Sequence, residues 1–131
     1  MTKRFKKNLK DLQNIKRCNG IYFLFDKNEI VYIGYSRNVY CRVLEHIIED
    51  VKVFDEVTAL YNEDLLTSQV MEVALISELK TKYNKLSIDF DLYWRVLPLE
   101  VKKQLGEADN LENTKRKAKA ILSNVLGSEN E

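Results

Sequence analysis

The sequence predicts a small α/β (α+β) domain in which a three-stranded, mainly antiparallel sheet is flanked by helices. Two runs rich in β-branched and aromatic residues, 19–25 and 29–34, are separated by turn formers. Later segments place apolar residues at helical spacing. The 131 residues are 45% hydrophobic and 31% charged, with four glycines and one proline, which is typical of a globular chain. A single core of modest size is therefore expected.

The first two strands should form a hairpin around Asp26-Lys27-Asn28. With this three-residue loop Phe25 lies opposite Glu29, and Tyr22 then faces Tyr32 directly on one side of the sheet. A two-residue loop would shift the register by one and place the two tyrosines on opposite faces. The pairing of the phenols therefore depends on the length of the turn.

Ser36 or Asn38 can cap a helix that reaches Glu49. Arg42 and His46 are four residues apart on this helix and share a flank away from its apolar stripe. Both side chains can point across the hairpin toward the tyrosines. The residues alone fit equally well with a surface ion pair between Arg42 and Glu45 and with an exposed His46.

A third strand is predicted from residues 52–61, followed by a long helix that opens at Glu63-Asp64 and runs through Lys80. Glu72 lies within the apolar stripe of this helix. Burying an unpaired carboxylate is costly, so a cation, a metal or a raised pKa normally accompanies it. Glu78 lies on the polar face and should be solvated, which makes Glu72 the candidate metal ligand.

Six features occur in the order and spacing of a known family. They are Gly20-Ile21-Tyr22, Tyr32-Ile33-Gly34 ten residues on, Arg42 eight residues after Gly34, His46 one helical turn later, Glu72 on a helix, and Asn84 a dozen residues beyond it. Over about residues 18–84 the chain resembles the GIY-YIG nucleases. The resemblance implies a GIY-YIG-like fold and hydrolysis of DNA phosphodiester bonds with one divalent cation, Mg²⁺ (or Mn²⁺).

The resemblance also implies roles for individual residues. Glu72 would bind the metal, Tyr22 would orient or deprotonate the attacking water, and Tyr32 would contact the scissile phosphate or a metal-bound water. Arg42 would be the phosphate clamp. A free phenol with a pKa of about 10 is a poor base at neutral pH, whereas a free imidazole has a pKa of about 6.5. Either Tyr22 or His46 can therefore be the general base.

Asn84 has two readings: it can cap the end of the long helix, or, as the resemblance implies, it can support the site. The residue after Tyr-Ile-Gly is Tyr35, where many relatives have lysine. Lys27 or Arg37 are alternative sources of that positive charge.

Outside the resemblance, residues 1–17 form a basic N-terminal segment with seven Lys and Arg against one Asp. Four apolar residues at helical spacing predict an amphipathic helix: Phe5, Leu9, Leu12 and Ile15. It can be a surface helix packed on the domain or an arm that contacts phosphates. The nuclease domain should span 18–95, with a helical C-terminal extension at 96–131.

The expected partner is DNA, double-stranded or branched. No separate DNA-reading module is visible, so specificity would come from the tails, a protein partner or a dimer. Alternative functions are a catalytically weak or inactive nucleic-acid-binding protein of this fold, or an RNA-processing nuclease. Cys18 and Cys41 lack metal-ligand spacing, and no apolar run could span a bilayer or serve as a signal peptide. A cytoplasmic (intracellular) protein is therefore expected.

Overall fold

A computed structural model describes residues 3–85, 89–105 and 111–127 of the chain. Of the predicted terminal extensions, residues 1–2, 106–110 and 128–131 lie outside the described residues. The elements in chain order are β1 (Phe5–Lys6), α1 (Leu9–Leu12), β2 (Gly20–Asp26), β3 (Glu29–Ser36), α2 (Val39–Glu49), β4 (Glu56–Tyr61), α3 (Leu65–Glu78), α4 (Phe90–Val96), α5 (Leu99–Gln104) and α6 (Leu111–Leu126).

The sheet has four antiparallel strands in the order β1-β4-β2-β3, one strand more than predicted. The three predicted strands are present, although the third begins at Glu56 and not at Lys52. Strand β2 lies between its hairpin partner β3 and the later strand β4. The additional strand is β1, in which Phe5 pairs with Val57 of β4. The prediction of a mixed α and β architecture with a mainly antiparallel sheet is confirmed.

The prediction of an amphipathic helix in the N-terminal segment is wrong. Phe5 lies in a strand, and helix α1 covers only Leu9–Leu12, capped by the side chain of Asn8. Leu12 and Ile15 are buried as the periodicity suggested, but Leu9 is 75% exposed. Pairing of Phe5 with the free edge of β4 is a tertiary interaction, and such interactions override helical periodicity in a short segment.

The hairpin turn contains two residues, not three. Lys27 and Asn28 have φ values of 52° and 69°, and two successive positive φ angles are those of a type I′ turn. Asp26 therefore pairs with Glu29 and Phe25 with Ile30, so the predicted register is wrong. A two-residue loop alone would have separated the two tyrosines onto opposite faces.

A β-bulge restores them to one face. The register shifts between Leu24 and Phe25, so that Val31 has no partner and Leu24 pairs with Tyr32. The extra residue shifts the register by one more position and so returns Tyr32 to the face of the sheet that carries Tyr22. Tyr22 pairs with Gly34 and lies diagonally next to Tyr32, with the two ring centroids 6.0 Å apart.

Helices cover both faces of the sheet. On one face, residues of β2 and β3 such as Phe23 and Ile33 form a core with α3, α4 and α6, in which Trp94 is buried. On the other face Tyr22 and Leu24 pack against Val39 and Val43 of α2. Residues 21–25 are therefore all buried, as expected for a strand covered on both sides.

The predicted helices after the hairpin are largely confirmed. Asn38 caps α2 by accepting a hydrogen bond from the Cys41 backbone N–H at 3.1 Å, and α2 ends at Glu49 as expected. Helix α3 ends at Glu78, two residues before the predicted end. In the described ranges no helix combines the length and apolar character needed to cross a membrane.

Arg4 belongs to the folded core and not to a solvated basic arm. Its side chain is 5% exposed and lies 4.0 Å from the centroid of the Phe25 ring. The guanidinium donates to Asn28 Oδ1 at 2.9 Å and to the Leu126 carbonyl at 3.1 Å, and it forms an ion pair with Glu56 at 3.5 Å. Arg4 thus joins β4 and the hairpin turn to the end of α6.

We predict that Arg4→Met lowers the free energy of unfolding by about 2–4 kcal/mol, because the nearly buried Glu56 carboxylate would lose its ion-pair partner. Urea denaturation measures this loss. Lys10→Met removes the same charge from an exposed position on α1 and is the matched control, with an expected change within about 0.5 kcal/mol. Equal stability of the two variants would contradict a structural role for Arg4.

Candidate active site

The six residues predicted for the site come from five parts of the fold and meet around β3. Tyr22 and Tyr32 lie on the hairpin, Arg42 and His46 on α2, Glu72 on α3, and Asn84 in the segment after α3. They form two groups that share Tyr32. One group is a cluster of rings on the α2 side of the sheet, and the other surrounds a pocket at the outer edge of β3.

The ring cluster consists of Tyr22, Tyr32 and His46. The Tyr22 hydroxyl lies 2.8 Å from His46 Nε2, and the His46 ring meets the Tyr32 ring edge-on with a centroid separation of 5.2 Å. His46 is 1% exposed, so its alternative reading as an exposed surface residue is wrong. Among the described residues, His46 Nδ1 has no hydrogen-bond partner.

Burial keeps both members of the Tyr22–His46 pair uncharged. It raises the pKa of Tyr22 well above its usual range, and the neighbouring Tyr32 adds to that rise while the positive charge of Arg42 opposes it. Burial, together with the charges of Arg42 and Lys52, lowers the pKa of His46 to about 4. At neutral pH the pair is therefore a phenol and a neutral imidazole joined by a hydrogen bond.

Arg42 takes part in both arrangements that the sequence left open. Its guanidinium forms ion pairs with Glu45 at 2.7 Å and Glu49 at 3.5 Å on the surface of α2. The same group adjoins the Tyr22 hydroxyl and affects its pKa. The positive charge of Arg42 is thus next to the ring cluster, but two carboxylates already compensate it.

The pocket has a volume of about 500 Å³ and straddles the outer edge of β3. Tyr32 and Lys52 line it from the α2 side of the sheet, and Glu72 lines it from α3. Burial raises the pKa of Glu72 to about 7, and a hydrogen bond from the backbone N–H of Tyr35 partly opposes that rise. Glu78 is exposed, as predicted.

Asn84 does not cap α3, which ends six residues earlier. Its side chain instead binds the main chain of Ile33 twice: Oδ1 accepts from the Ile33 N–H at 2.8 Å, and Nδ2 donates to the Ile33 carbonyl at 2.9 Å. The neighbouring Tyr83 N–H donates to the Val31 carbonyl at 2.9 Å. Asn84 therefore positions the wall of the pocket against β3 and also lines the pocket itself.

The residues of the pocket fit a single Mg²⁺ ion. Within the three described ranges, no cluster of three His, Cys, Asp or Glu side chains could hold a metal. Mg²⁺ does not need one, because it keeps several water ligands and is commonly bound by one or two carboxylates plus substrate phosphates. Glu72 is a carboxylate that lines a pocket without an ion-pair partner among the described residues.

Lys52 is a site residue that the sequence did not indicate. It stands at the start of the predicted third strand, as a polar residue between two valines, and none of the sequence motifs assigns it a role in the site. The cations proposed in its place do not line the pocket: Lys27 is in the hairpin turn, and Arg37 is exposed before α2. Tyr35 donates its hydroxyl hydrogen to Asn19 Oδ1 at 2.7 Å.

Comparison of the chain with protein-family models, with curated proteins and with solved structures finds no match in any of the three. The assignment of a function therefore rests on the sequence motifs and on the geometry of the site.

The lowered pKa of His46 predicts a pH effect on stability. In the unfolded chain His46 should titrate near its ordinary pKa of about 6.5, but in the fold it does so at about 4. As pH falls through this window the unfolded state binds the proton first, so stability conferred by the neutral imidazole is lost. We expect the free energy of unfolding to fall more steeply between pH 7 and pH 4 in the parent than in His46→Gln.

Urea denaturation across this pH range measures both slopes, and the His46→Gln variant corrects for the carboxylates that titrate in the same window. NMR titration of the imidazole provides a direct check. A midpoint at the ordinary histidine value would show that His46 is solvated and would contradict this prediction.

Proposed function

We propose that this protein is a metal-dependent endonuclease that hydrolyses DNA phosphodiester bonds with a GIY-YIG-type single-metal site. The observation that carries the proposal is the convergence of the six motif residues around one strand, although they lie on five separate parts of the fold. Two phenols, an imidazole, a guanidinium and a carboxylate are chemically sufficient for this reaction. Hydrolysis needs a proton acceptor for water and positive charge near the phosphate.

Glu72 would hold the Mg²⁺ (or Mn²⁺) ion in the pocket, where its half-buried carboxylate lacks an ion-pair partner among the described residues. A bound divalent cation supplies charge stabilisation at the phosphate oxygens and favours the ionised form of the carboxylate. Asn84 would keep the pocket wall in place through its two hydrogen bonds to Ile33. Tyr32, which lines the same pocket, is the phenol in position to contact the phosphate or a bound water.

Tyr22 would act from the buried side of Tyr32, since it does not line the pocket itself. Its hydroxyl adjoins Tyr32 on the pocket side and His46 Nε2 on the interior side. In the His46 tautomer that carries its proton on Nδ1, Nε2 accepts the Tyr22 proton as the phenol oxygen takes one from water. Burial raises the pKa of Tyr22, and burial together with the charges of Arg42 and Lys52 lowers that of His46, so this transfer needs the negative charge of a bound phosphate to stabilise the imidazolium that forms.

The substrate would be duplex or branched DNA, and RNA is tested in parallel because no residue of the site distinguishes ribose from deoxyribose. Incubation of the protein with plasmid, branched DNA and RNA, each with Mg²⁺ and with EDTA, tests the proposal. Mg²⁺-dependent cleavage of DNA supports it. Binding without cleavage of any substrate would instead identify a nucleic-acid-binding protein that keeps the fold but not the activity.

For Glu72 we predict that the Glu72→Gln variant loses Mg²⁺-dependent nicking. The amide keeps the shape of the side chain but removes the charge that binds the metal, so DNA binding and the melting temperature should stay near the parent values or rise. Plasmid nicking under single-turnover conditions measures the loss. Glu78→Gln makes the same change on the exposed face of α3 and should be silent. Normal nicking by Glu72→Gln would remove this carboxylate from the mechanism.

Phenylalanine substitutions test the two phenols. Tyr32→Phe should reduce the single-turnover rate by on the order of a hundredfold or more, because this hydroxyl lies at the pocket. Tyr22→Phe should also reduce the rate and should cost about 1 kcal/mol of stability, since it removes the partner of His46 Nε2. The double variant should lose less than the product of the two single losses, because both hydroxyls act in the same hydrolysis step.

Tyr35→Phe is the control for the phenol variants. Its hydroxyl binds Asn19 and does not line the pocket, so the rate should stay near that of the parent. Parent-like rates for both Tyr22→Phe and Tyr32→Phe would rule out the paired-phenol site.

A further inference from the structure

We propose that Lys52 binds the phosphate that is to be cleaved, through its ammonium group and a non-bridging phosphate oxygen. The inference rests on the proposed function, because it assigns a substrate contact to the same pocket. It adds a residue that lies outside the sequence motifs, on the connection between α2 and β4.

Lys52 lies at the junction of the two parts of the site. Its Nζ is 4.8 Å from the centroid of the Tyr32 ring, and its side chain lines the pocket together with Glu72, Asn84 and a second lysine, the exposed Lys85. The positive charge also reaches the ring cluster, where it contributes to the lowered pKa of His46. A phosphate in this pocket would therefore lie within reach of the ammonium group, the Tyr32 phenol and the Glu72 carboxylate.

Lys52 differs from Arg42 in how its charge is compensated. Arg42 has ion pairs with Glu45 and Glu49, so a phosphate would have to compete with two carboxylates for its guanidinium. Lys52 forms no ion pair with any residue in the described part of the chain. An ammonium group without a carboxylate partner gains the most from an incoming anion, because neutralising it breaks no existing ion pair.

The backbone on both sides of Lys52 is fixed. Asp50 ends α2 in the left-handed conformation, with φ 52° and ψ 35°, and its N–H donates to the His46 carbonyl at 3.1 Å. Two residues after Lys52 the chain is anchored by Phe54, which is 4% exposed, and the Val53 N–H donates to the Tyr83 hydroxyl at 3.0 Å. This reversal directs Lys52 back toward the edge of β3, and little ordering remains to be done when an anion binds.

The ligand that fits this arrangement is a phosphodiester. It carries one negative charge and two non-bridging oxygens, so one oxygen can bind Lys52 while the other faces the carboxylate side of the pocket, where Glu72 would hold a metal ion. An ammonium group binds such an oxygen as a point charge and needs no fixed fork geometry.

The test measures duplex DNA binding by fluorescence anisotropy in EDTA, where no cleavage occurs, over a series of KCl concentrations. Lys52→Met keeps the apolar stem and removes the charge. We expect its affinity to fall roughly 3–10-fold and the slope of log affinity against log salt to shrink by about 0.9, the value for one phosphate contact. Lys52→Arg should restore the slope.

Lys119→Met is the matched control, because Lys119 is exposed on α6 and does not line the pocket. Its slope should stay closer to the parent value than that of Lys52→Met. Lys52→Gln is a second charge-removing variant if Lys52→Met fails to fold, which thermal melting would detect. The inference would be overturned if the charge-removing variant showed the same slope of log affinity against log salt as the parent protein, or if the parent protein did not bind DNA.

Single-turnover cleavage in Mg²⁺ separates this inference from the proposed nuclease function. If the parent cleaves DNA, Lys52→Met should cleave at least about tenfold more slowly at saturating DNA, since the transition state carries more charge than the bound substrate. If the parent binds DNA without cleaving it and Lys52→Met still loses one phosphate contact, the nuclease proposal fails while the phosphate site stands. Parent-like cleavage by Lys52→Met would contradict a contact with the reacting phosphate.

Discussion

The geometry of the site depends on the close packing of the Tyr22 ring against Gly34 on the neighbouring strand. A methyl group at position 34 would overlap Cζ and Oη of Tyr22 and would lie 2.8 Å from Cε2 of Tyr32. Only glycine leaves room for both rings over the strand. Because the end of the Tyr22 side chain lies against this position, its hydroxyl reaches His46 on α2, and the contact ties the hairpin to the helix that follows it.

A neutral interior surrounded by charged groups is the main electrostatic feature of the site. Burial keeps Tyr22 and His46 uncharged, whereas Arg42, Lys52 and Glu72 lie at the periphery. Charge inside the ring cluster would be expensive in the free protein, since low polarity disfavours ions without partners. In the proposed nuclease, an anionic substrate and a cation would bring compensating charges with them.

Local sequence signals predicted much of this structure. A cap at Ser36 or Asn38, the helix that follows it and the position of Glu72 on an apolar stripe all follow from side-chain chemistry within a few residues. The same signals missed the bulge at Val31, because a register shift is set by pairing along the whole strand. The prediction that both tyrosines share one face was correct, but its derivation was not. The predicted loop was one residue too long and the bulge was missed, and these two errors of one residue cancelled.

Contacts between distant segments could not be predicted from the sequence. Phe5 forms a strand because β4 offers it an edge, Arg4 is buried because the turn, β4 and α6 supply its partners, and Lys52 enters the site because α2 ends in a sharp reversal. Asn84 was placed in the site by family spacing, but its actual role, binding the main chain of Ile33, required the position of β3.

That use of Asn84 has a consequence for association with other chains. The outer strand of a sheet normally offers its main-chain groups to any strand that can pair with it, including one from a second copy. Along β3 the carbonyl of Val31 is bound by Tyr83, and both main-chain groups of Ile33 are bound by Asn84. Pairing of another strand with β3 is therefore blocked at Val31 and Ile33, at the edge of the sheet where the pocket lies.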